Sequence, residues 1–422
     1  MKIYKRLIII TLALMPIFFT ARGQNGQTSP YSRFGYGILD DGASPAQIAL
    51  GTTGYAMNNG RQINSMNPAS YACIDTLTFL FDIGVNAKQV WDKEGDNHGR
   101  KFSGGLTNIN LQFPLGKYMG GSIGLMPYSQ VGYSFGNEIA NGQNTYQGSG
   151  GINRLYAGVS GRLFKGFTIG ANVSYLFGNV INDVYSVATG QSTTLFERAM
   201  EIRDYDFRFG AQYSFAPAKD NKVTLGVVFS PGQSFHGRTY GVYYDVTAAE
   251  NNSSEKPDTI GYTHLTGKYT RPYTLGAGIN YQLSTRLMVE ADFTYQPWKD
   301  VKYSEMEGFE DYHFNNRWKA ALGAQFQPNP RGNYAQRIQY RLGAYYNHDY
   351  ILARGNNVND FGVTLGFGLP APVNRWTKTV VNVALEYRRR TSSPVRLLTE
   401  DYLQITVGIN FNELWFWQNK IQ

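Results

Sequence analysis

The chain has 422 residues, of which only 17% are charged, whereas 47 are glycine, 31 tyrosine and 25 phenylalanine. Soluble domains average about 25% charged residues and about 7% glycine. This composition, with one cysteine and a mean hydropathy of −0.35, excludes a disordered chain, a disulfide scaffold, a coiled coil and a helical membrane protein. A hydrophilic average with many aromatic residues is typical of alternating strands.

The first 23 residues, 1–23, are predicted to be a signal peptide. Three basic residues, Lys2, Lys5 and Arg6, precede the apolar stretch Leu7–Phe19, which is too short to span a bilayer, and small residues follow before Gln24. Cleavage after residue 23 would lower the formal charge from +8 to +4, because four basic residues are lost. Export and this small charge argue against nucleic acid as a partner.

Residues 24–76 do not alternate between apolar and polar positions. They are rich in Gly, Ser, Asn and Pro, with the motif Asn67-Pro68-Ala69 near the end. Apolar residues such as Leu50 and Tyr55 favour a segment that packs inside a protein over a disordered tail. We therefore expect residues 24–76 to form a plug, or hatch, inside a domain formed by residues 77–422.

Residues 77–422 alternate repeatedly between apolar and polar side chains, which predicts half-buried β-strands. In the last segment, Leu403, Ile405 and Val407 alternate with Gln404 and Thr406. Fourteen strands are predicted, an even number, as a closed single-chain outer-membrane barrel requires. The predicted spans are 77–91, 103–113, 119–135, 151–163, 167–187, 199–215, 222–246, 263–282, 286–298, 314–327, 337–348, 358–369, 378–390 and 401–411.

The connections between these strands are predicted to alternate between short periplasmic turns and long outer loops along the whole chain. Turns 115–117 and 164–166 are short, whereas 136–150 and 188–198 are long and polar. All six tryptophans fall at predicted strand ends, where membrane interfaces favour amphipathic indoles. They are Trp91, Trp298, Trp318, Trp376, Trp415 and Trp417. We predict an all-β fold, a 14-stranded antiparallel transmembrane β-barrel with an N-terminal plug in its lumen; the alternative is a soluble sandwich.

The third predicted strand contains a proline. Gly120, Gly121 and Gly124 are expected to weaken its pairing, and Pro127 lacks the N–H group that a ladder needs. Because a closed barrel has no edge, Pro127 is predicted to mark a bulge or a lateral gate into the bilayer. The alternative is that Pro127 lies above the hydrocarbon, where an unpaired group meets water.

In these features together the chain resembles the FadL-type outer-membrane transporters of hydrophobic compounds. The similarity rests on the signal peptide, the hatch with Asn67-Pro68-Ala69, the fourteen-strand pattern, and the segments 340–347 and 364–370. It implies a hatch that plugs the lumen, a hydrophobic ligand pocket and a lateral opening at a kinked third strand. The opening motif Ser29-Pro30-Tyr31-Ser32-Arg33-Phe34-Gly35 indicates a divergent branch, whose members need not all transport fatty acids.

The other candidate site is the run Arg388-Arg389-Arg390 at the outer end of predicted strand thirteen. These side chains are predicted either to contact lipopolysaccharide phosphates or to form a solvated loop base. The five histidines show no metal-ligand spacing, and no nucleotide or hydrolase motif occurs. We predict no enzyme activity, no cofactor and no metal.

These observations predict a barrel of the Gram-negative outer membrane that takes up hydrophobic, fatty-acid-like molecules passively and releases them laterally. Its expected partners are outer-membrane lipid, lipopolysaccharide and a hydrophobic ligand. The alternative is a non-transporting accessory subunit of a larger outer-membrane complex, such as secretion or barrel-assembly machinery, that docks other outer-membrane proteins through its outer loops.

Overall fold

The structure, a computed structural model, describes residues 29–139, 142–188, 193–218, 221–245, 258–303, 313–371 and 379–414. Fourteen antiparallel strands form the wall, and the last strand pairs with the first, so the sheet closes. They are β1 (Thr78–Glu94), β2 (Asn97–Gly116), β3 (Met119–Ile139), β4 (Gly142–Phe164), β5 (Phe167–Ala188), β6 (Thr193–Phe215), β7 (Lys222–Ser230), β8 (Thr274–Gln282), β9 (Leu287–Gln296), β10 (Arg317–Phe326), β11 (Gln339–Ala353), β12 (Asn356–Pro370), β13 (Val380–Ser393) and β14 (Thr399–Leu414). The predicted fold class is confirmed.

Alternation along each strand separates the two faces of the wall. In β6, the apolar side chains Tyr205, Phe207 and Phe209 are exposed on the outside, whereas Asp206 and Gln212 are buried in the lumen. Exposed apolar residues recur around the barrel and form the surface that a bilayer covers. The fold is therefore a membrane-spanning barrel with a polar lumen.

The wall strands β3 to β6 extend further outward than predicted. Most of the segments predicted as polar loops, 136–150 and 188–198, continue these strands. Beyond the bilayer neither face of a strand needs to be apolar, so the period-2 pattern does not mark this part of the sheet. The alternation of short and long connections also fails, because β1 and β2 meet in a tight outer turn at Gly95 and the inner connection 327–338 is long.

Strands seven and eight were predicted as continuous but are interrupted. β7 ends before Pro231, and β8 begins after Pro272, because neither proline can donate to a ladder. Between them the chain turns inward through a two-residue pair and places Phe235, Leu265 and Tyr269 in the buried interior. It then continues outward as a separate hairpin that pairs with the upper part of β6. This outer hairpin consists of Gly237–Asp245 and Asp258–His264.

Residues 29–76, which we call the hatch, lie against the lumen side of the wall. The hatch contains a 3-10 helix Pro30–Arg33, a strand Ile38–Leu39, an α-helix Pro45–Ile48 and a 3-10 helix Pro68–Cys73. The other short helices lie in connections, Trp298–Asp300 and Tyr334–Arg337. Across the residues placed in the structure, no helix has the length and apolar character needed to cross a membrane.

The tryptophans divide into two environments. Trp91 is exposed on the outside of β1, and Trp318 packs beside Phe293 and Tyr346 on the lipid-facing side of β10. Trp298 is 0% exposed, so its predicted place at a membrane interface is wrong. It belongs to a short helix that turns into the lumen. Trp376, Trp415 and Trp417 lie outside the described residues.

Candidate functional site

The motif Asn67-Pro68-Ala69 lies where the hatch meets β5 and β6. The Asn67 side chain caps the following 3-10 helix by accepting from the Ala69 N–H at 3.0 Å, and donates to the Tyr55 carbonyl at 2.7 Å. A Cβ on Gly210 would lie 2.0 Å from Asn67 Oδ1, and one on Gly170 would lie 2.5 Å from the Pro68 carbonyl oxygen. Glycine is therefore required on both strands for the hatch to approach the wall.

Two carboxylates of β9 hold the middle of the hatch. Asp292 Oδ2 accepts the backbone N–H groups of Gly54 and Tyr55 at 2.7 and 2.9 Å, and Glu290 Oε1 accepts that of Ala56 at 3.0 Å. Both carboxylates are buried. Three consecutive backbone N–H groups of the hatch are thus held by one strand, so β9 fixes the hatch backbone in one register.

A third anchor joins the hatch to β10 through charge. Asp41 accepts from Arg317 Nη2 at 2.7 Å and from Lys319 Nζ at 2.5 Å, and both basic side chains are buried. Burial alone would raise the pKa of Asp41, but Lys319 and Arg317 together hold it well below its ordinary value. The neighbouring Asp40 has no such pair, and burial raises its pKa to about 6 despite the Gly42 N–H bond. The two adjacent carboxylates thus have opposite protonation behaviour.

A cavity of about 120 Å³ lies between this part of the hatch and the wall. Ten ionisable carboxylate, lysine and arginine side chains line it, among them Lys88, Asp349, Glu386 and Arg388. An apolar molecule placed there would desolvate charged groups without giving them hydrogen bonds. The chemistry of this cavity favours water, ions or a polar group.

The outer half of the lumen is filled by buried apolar side chains. Tyr36 of the hatch is at the centre, with ring centroids 4.8 Å from Phe235 and 5.9 Å from Trp298, and Trp298 is 4.4 Å from Tyr350. All four side chains are fully buried. We call this group, with the residues packed around it, the mouth cluster. It joins the hatch to segments that enter the lumen from the outer ends of the strands.

The third strand, β3, pairs with β2 along its lower part and with the hatch strand further out. β2 and β3 pair only between Ile109–Gly116 and Met119–Leu125, and a bulge follows at Pro127 in the β3–β4 ladder. Beyond the bulge, the hatch strand Ile38–Leu39 pairs with β3 at Gln130 and Ser129. The corresponding part of β2 pairs with β1. Among the described residues, β2 and β3 are therefore separated above Leu125.

The three glycines of the gate prediction lie below this separation. Gly120, Gly121 and Gly124 pair with both neighbouring strands, and that they weaken this pairing remains a prediction. A Cβ on Gly120 would lie 2.0 Å from the Tyr71 carbonyl oxygen of the hatch, and one on Gly124 would lie 2.0 Å from Asn110 Oδ1. These glycines make room for the hatch and for a neighbouring strand.

The three arginines of β13 do not share one environment. Arg389 is exposed and pairs with Asp401 at 2.7 Å. Arg390 is buried and pairs with Asp360 at 2.5 Å, while Arg388 lies 4.1 Å over the Tyr402 ring. Strand alternation sends Arg388 and Arg390 into the lumen, which overturns the expected lipopolysaccharide contact for these two. Only Arg389 has the orientation that the prediction requires.

Sequence reasoning missed Asp40, Asp41 and Tyr36. They lie in a segment without periodicity, where a pattern cannot assign a face. Within the described part of the chain, no three His, Cys, Asp or Glu side chains are grouped as a metal site. His236 instead bonds Asp204, and His348 bonds Asn359.

A BamG family model matches residues 3–422 of the chain. No curated protein matches the sequence. Among solved structures, the chain is similar to a FadL homologue of Pseudomonas aeruginosa, with a TM-score of 0.58, 13% identity, and coverage of 88% of this chain and 98% of that one. It is similar to the toluene transporter TodX of Pseudomonas putida, with a TM-score of 0.59, 15% identity, and coverage of 89% and 99%. For the Ralstonia pickettii toluene transporter TbuX, the values are 0.54, 14%, 89% and 99%.

At these identities the similarity shows the fold alone. The predicted resemblance to FadL-type barrels is confirmed at that level, and the chain is an outer-membrane-type β-barrel. The neighbours are described as transporters and channels of hydrocarbons. The hydrocarbon ligands of these neighbours are not assigned to this chain by similarity of fold.

Proposed function

The chain belongs to the BamG family, and we propose that it is a non-transporting accessory subunit of a larger outer-membrane complex. The observation that carries this proposal is the closure of the lumen. The mouth cluster fills the outer half, and Asp41, Glu290 and Asp292 tie the hatch to the wall below it. A lumen occupied in this way favours a role at the surface of the barrel over the passage of a molecule through it.

The character of the cavity supports the same proposal. Ligand pockets typically enclose about 300–1,000 Å³ and are lined mainly by apolar side chains. The cavity beside Asp41 has about 120 Å³ and a charged lining. Moving an apolar ligand through the lumen would require displacing the mouth cluster and breaking the buried ion pairs of Arg317 and Lys319.

Purification in a gentle detergent tests this function. We expect the chain to elute with at least one protein at a fixed molar ratio, identified by mass spectrometry. Vesicles that contain the purified barrel should take up labelled toluene no faster than vesicles without protein. A lone barrel that carries an extractable apolar molecule at one copy per chain would contradict the proposal.

A second candidate, the passive uptake of hydrophobic molecules with lateral release, is favoured by the separation of β2 and β3 above Leu125. In this proposal, ligand leaves beside Pro127 when the hatch strand Ile38–Leu39 moves from β3. Replacing Pro127 by Ala should then slow toluene uptake. Pro114→Ala in β2 is the matched control, since Pro114 pairs below the separation. Equal uptake by both variants and by empty vesicles would exclude this candidate.

A further inference from the structure

Both ends of the barrel carry exposed basic side chains. At the outer end, three of them have acidic partners in the chain, whereas others, such as Lys93 and Lys299, pair with no described carboxylate. Lys101 pairs with Asp92 at 3.1 Å, Arg238 with Glu201 at 2.7 Å, and Arg389 with Asp401.

The opposite end, where β1 begins and β14 ends, is the end predicted to face the periplasm, and its described turns contain few acidic residues. Outside the strands, its described turns and the adjacent hatch loop contain six basic residues and one acidic residue, Asp75. None of the six forms an ion pair with a described carboxylate. We call these six the basic rim: Arg61, Lys117, Lys165, Arg286, Arg331 and Arg337.

The negative charge opposite the rim could come from lipid phosphates or from a protein surface, and the positions of the rim residues distinguish these two sources. Lys117, Lys165 and Arg286 lie in turns at the barrel wall, where lipid phosphates are also near. Arg61 lies instead on the exposed hatch loop, which contacts the lumen side of the wall through Asn58 bonds to Gln212 and Ser214. A lipid phosphate at the outside of the wall does not account for Arg61. A single surface that covers the barrel end accounts for all six.

We propose that the basic rim binds an acidic face of a periplasmic protein. The proposal rests on the proposed accessory function and adds to it the face of the barrel that docks and the charge of the partner. Five of the six are exposed, and Arg337 is partly buried beside the Tyr334 ring. Like charges without acidic partners repel each other, and an acidic surface would relieve this repulsion. The association should weaken with salt, because the rim is exposed and screened.

Zero-length cross-linking tests which groups touch. A carbodiimide joins a lysine amine to a carboxyl group with which it is in contact. In intact outer membranes, we expect amide cross-links from Lys117 or Lys165 to Asp or Glu side chains of one periplasmic protein, identified by peptide mass spectrometry. Lys93 and Lys299, which are exposed at the outer end, are the internal controls and should give no link to that protein.

Charge reversal tests the energetic role of the rim. The triple variant Lys117→Glu, Lys165→Glu, Arg286→Glu should retain roughly tenfold less of the cross-linked partner after gentle purification. The matched control is Lys93→Glu, Lys299→Glu, Lys302→Glu, which reverses three exposed charges at the other end and should retain it fully. Heat-modifiable migration in gels verifies that both variants fold.

Three other results of the charge-reversal experiment would overturn the inference. If the rim variant keeps the partner at the wild-type ratio, the inference is overturned while the accessory function stands. If the variant loses bound phospholipid phosphate but keeps the partner, the rim binds lipid and the inference is also overturned. If neither wild type nor control retains any protein at a fixed ratio, the accessory function and the inference fail together.

Discussion

At the scale of single residues, Asp41 gives the buried side chains of Arg317 and Lys319 the hydrogen bonds and negative charge that water would otherwise supply. Substitution of Asp41 by Asn leaves Arg317 and Lys319 without a carboxylate in a lumen where water cannot fully solvate them. Breaking a buried pair in this way costs about 3–5 kcal/mol in the free energy of unfolding. We expect a clear fall in the midpoint of thermal unfolding in detergent, followed by circular dichroism.

Asp401→Asn is the matched control for Asp41, because it breaks the exposed pair with Arg389. Surface pairs contribute about 0–1 kcal/mol, so this variant should unfold close to wild type. Equal midpoints for the two variants would mean that Asp41 does not anchor the hatch.

Asp40 should titrate near pH 6. Its folded-state pKa is about 6, above the ordinary value of about 4, so between these values the folded chain binds more of this proton than the unfolded chain. Its contribution to stability therefore falls as the pH rises from about 4 to about 6. Infrared spectra should show a protonated carboxyl band that disappears over this range and is absent in Asp40→Asn. A band unchanged by that substitution would assign the titration to another residue.

At the scale of elements, the contact between hatch and wall depends on glycines that face the lumen. In Gly210→Ala the new methyl group would meet Asn67 Oδ1, so the hatch must shift away from β6. Gly161→Ala is the control, since a Cβ there lies 4.0 Å from its nearest neighbour. We expect faster tryptic cleavage after Arg61 in Gly210→Ala only. Equal cleavage rates would show that the close approach is not needed.

The tryptophans fall into two classes, Trp298, which is buried in the mouth cluster, and Trp91 and Trp318, which face outward. Brominated detergent should quench the fluorescence of Trp91 and Trp318, which face outward, and leave that of Trp298. Trp298→Ala removes a fully buried indole and should cost about 3–5 kcal/mol. Trp318→Ala, on the lipid-facing surface, is the control and should cost much less. Quenching of Trp298 to the same extent as Trp318 would contradict the buried position.

The sequence predicts elements well where one face must be apolar and the other polar. Tyr205, Phe207 and Phe209 alternate because lipid covers one side of β6, and this rule located all fourteen strands. It fails above the bilayer, where residues 194–197 are all partly exposed, whichever face of the strand they lie on. It also fails at Phe235 and Trp298, which turn inward. Their burial depends on partners such as Tyr36 that are far away in the chain.

At the scale of the whole molecule, the outer surface of the barrel determines whether the folded chain needs lipid or detergent. A continuous belt of exposed apolar side chains on the wall needs lipid or detergent, because bulk water penalises so large an apolar surface. We expect the folded chain to be monodisperse in detergent and to aggregate when the detergent is removed, as measured by light scattering. A monodisperse sample in plain buffer would contradict a lipid-facing belt on the barrel.

The pairing of Ile38–Leu39 with β3 places a constraint on biogenesis. The cylinder is completed when β14 meets β1, and the hatch strand then lies on the lumen side of the closed wall. We expect the N-terminal residues to be in place when this seam forms, because later entry would require the mouth cluster to assemble inside a closed wall. Translation order helps, because the enclosed part is synthesised before any strand of its container, and the last strand made is the one that closes the seam.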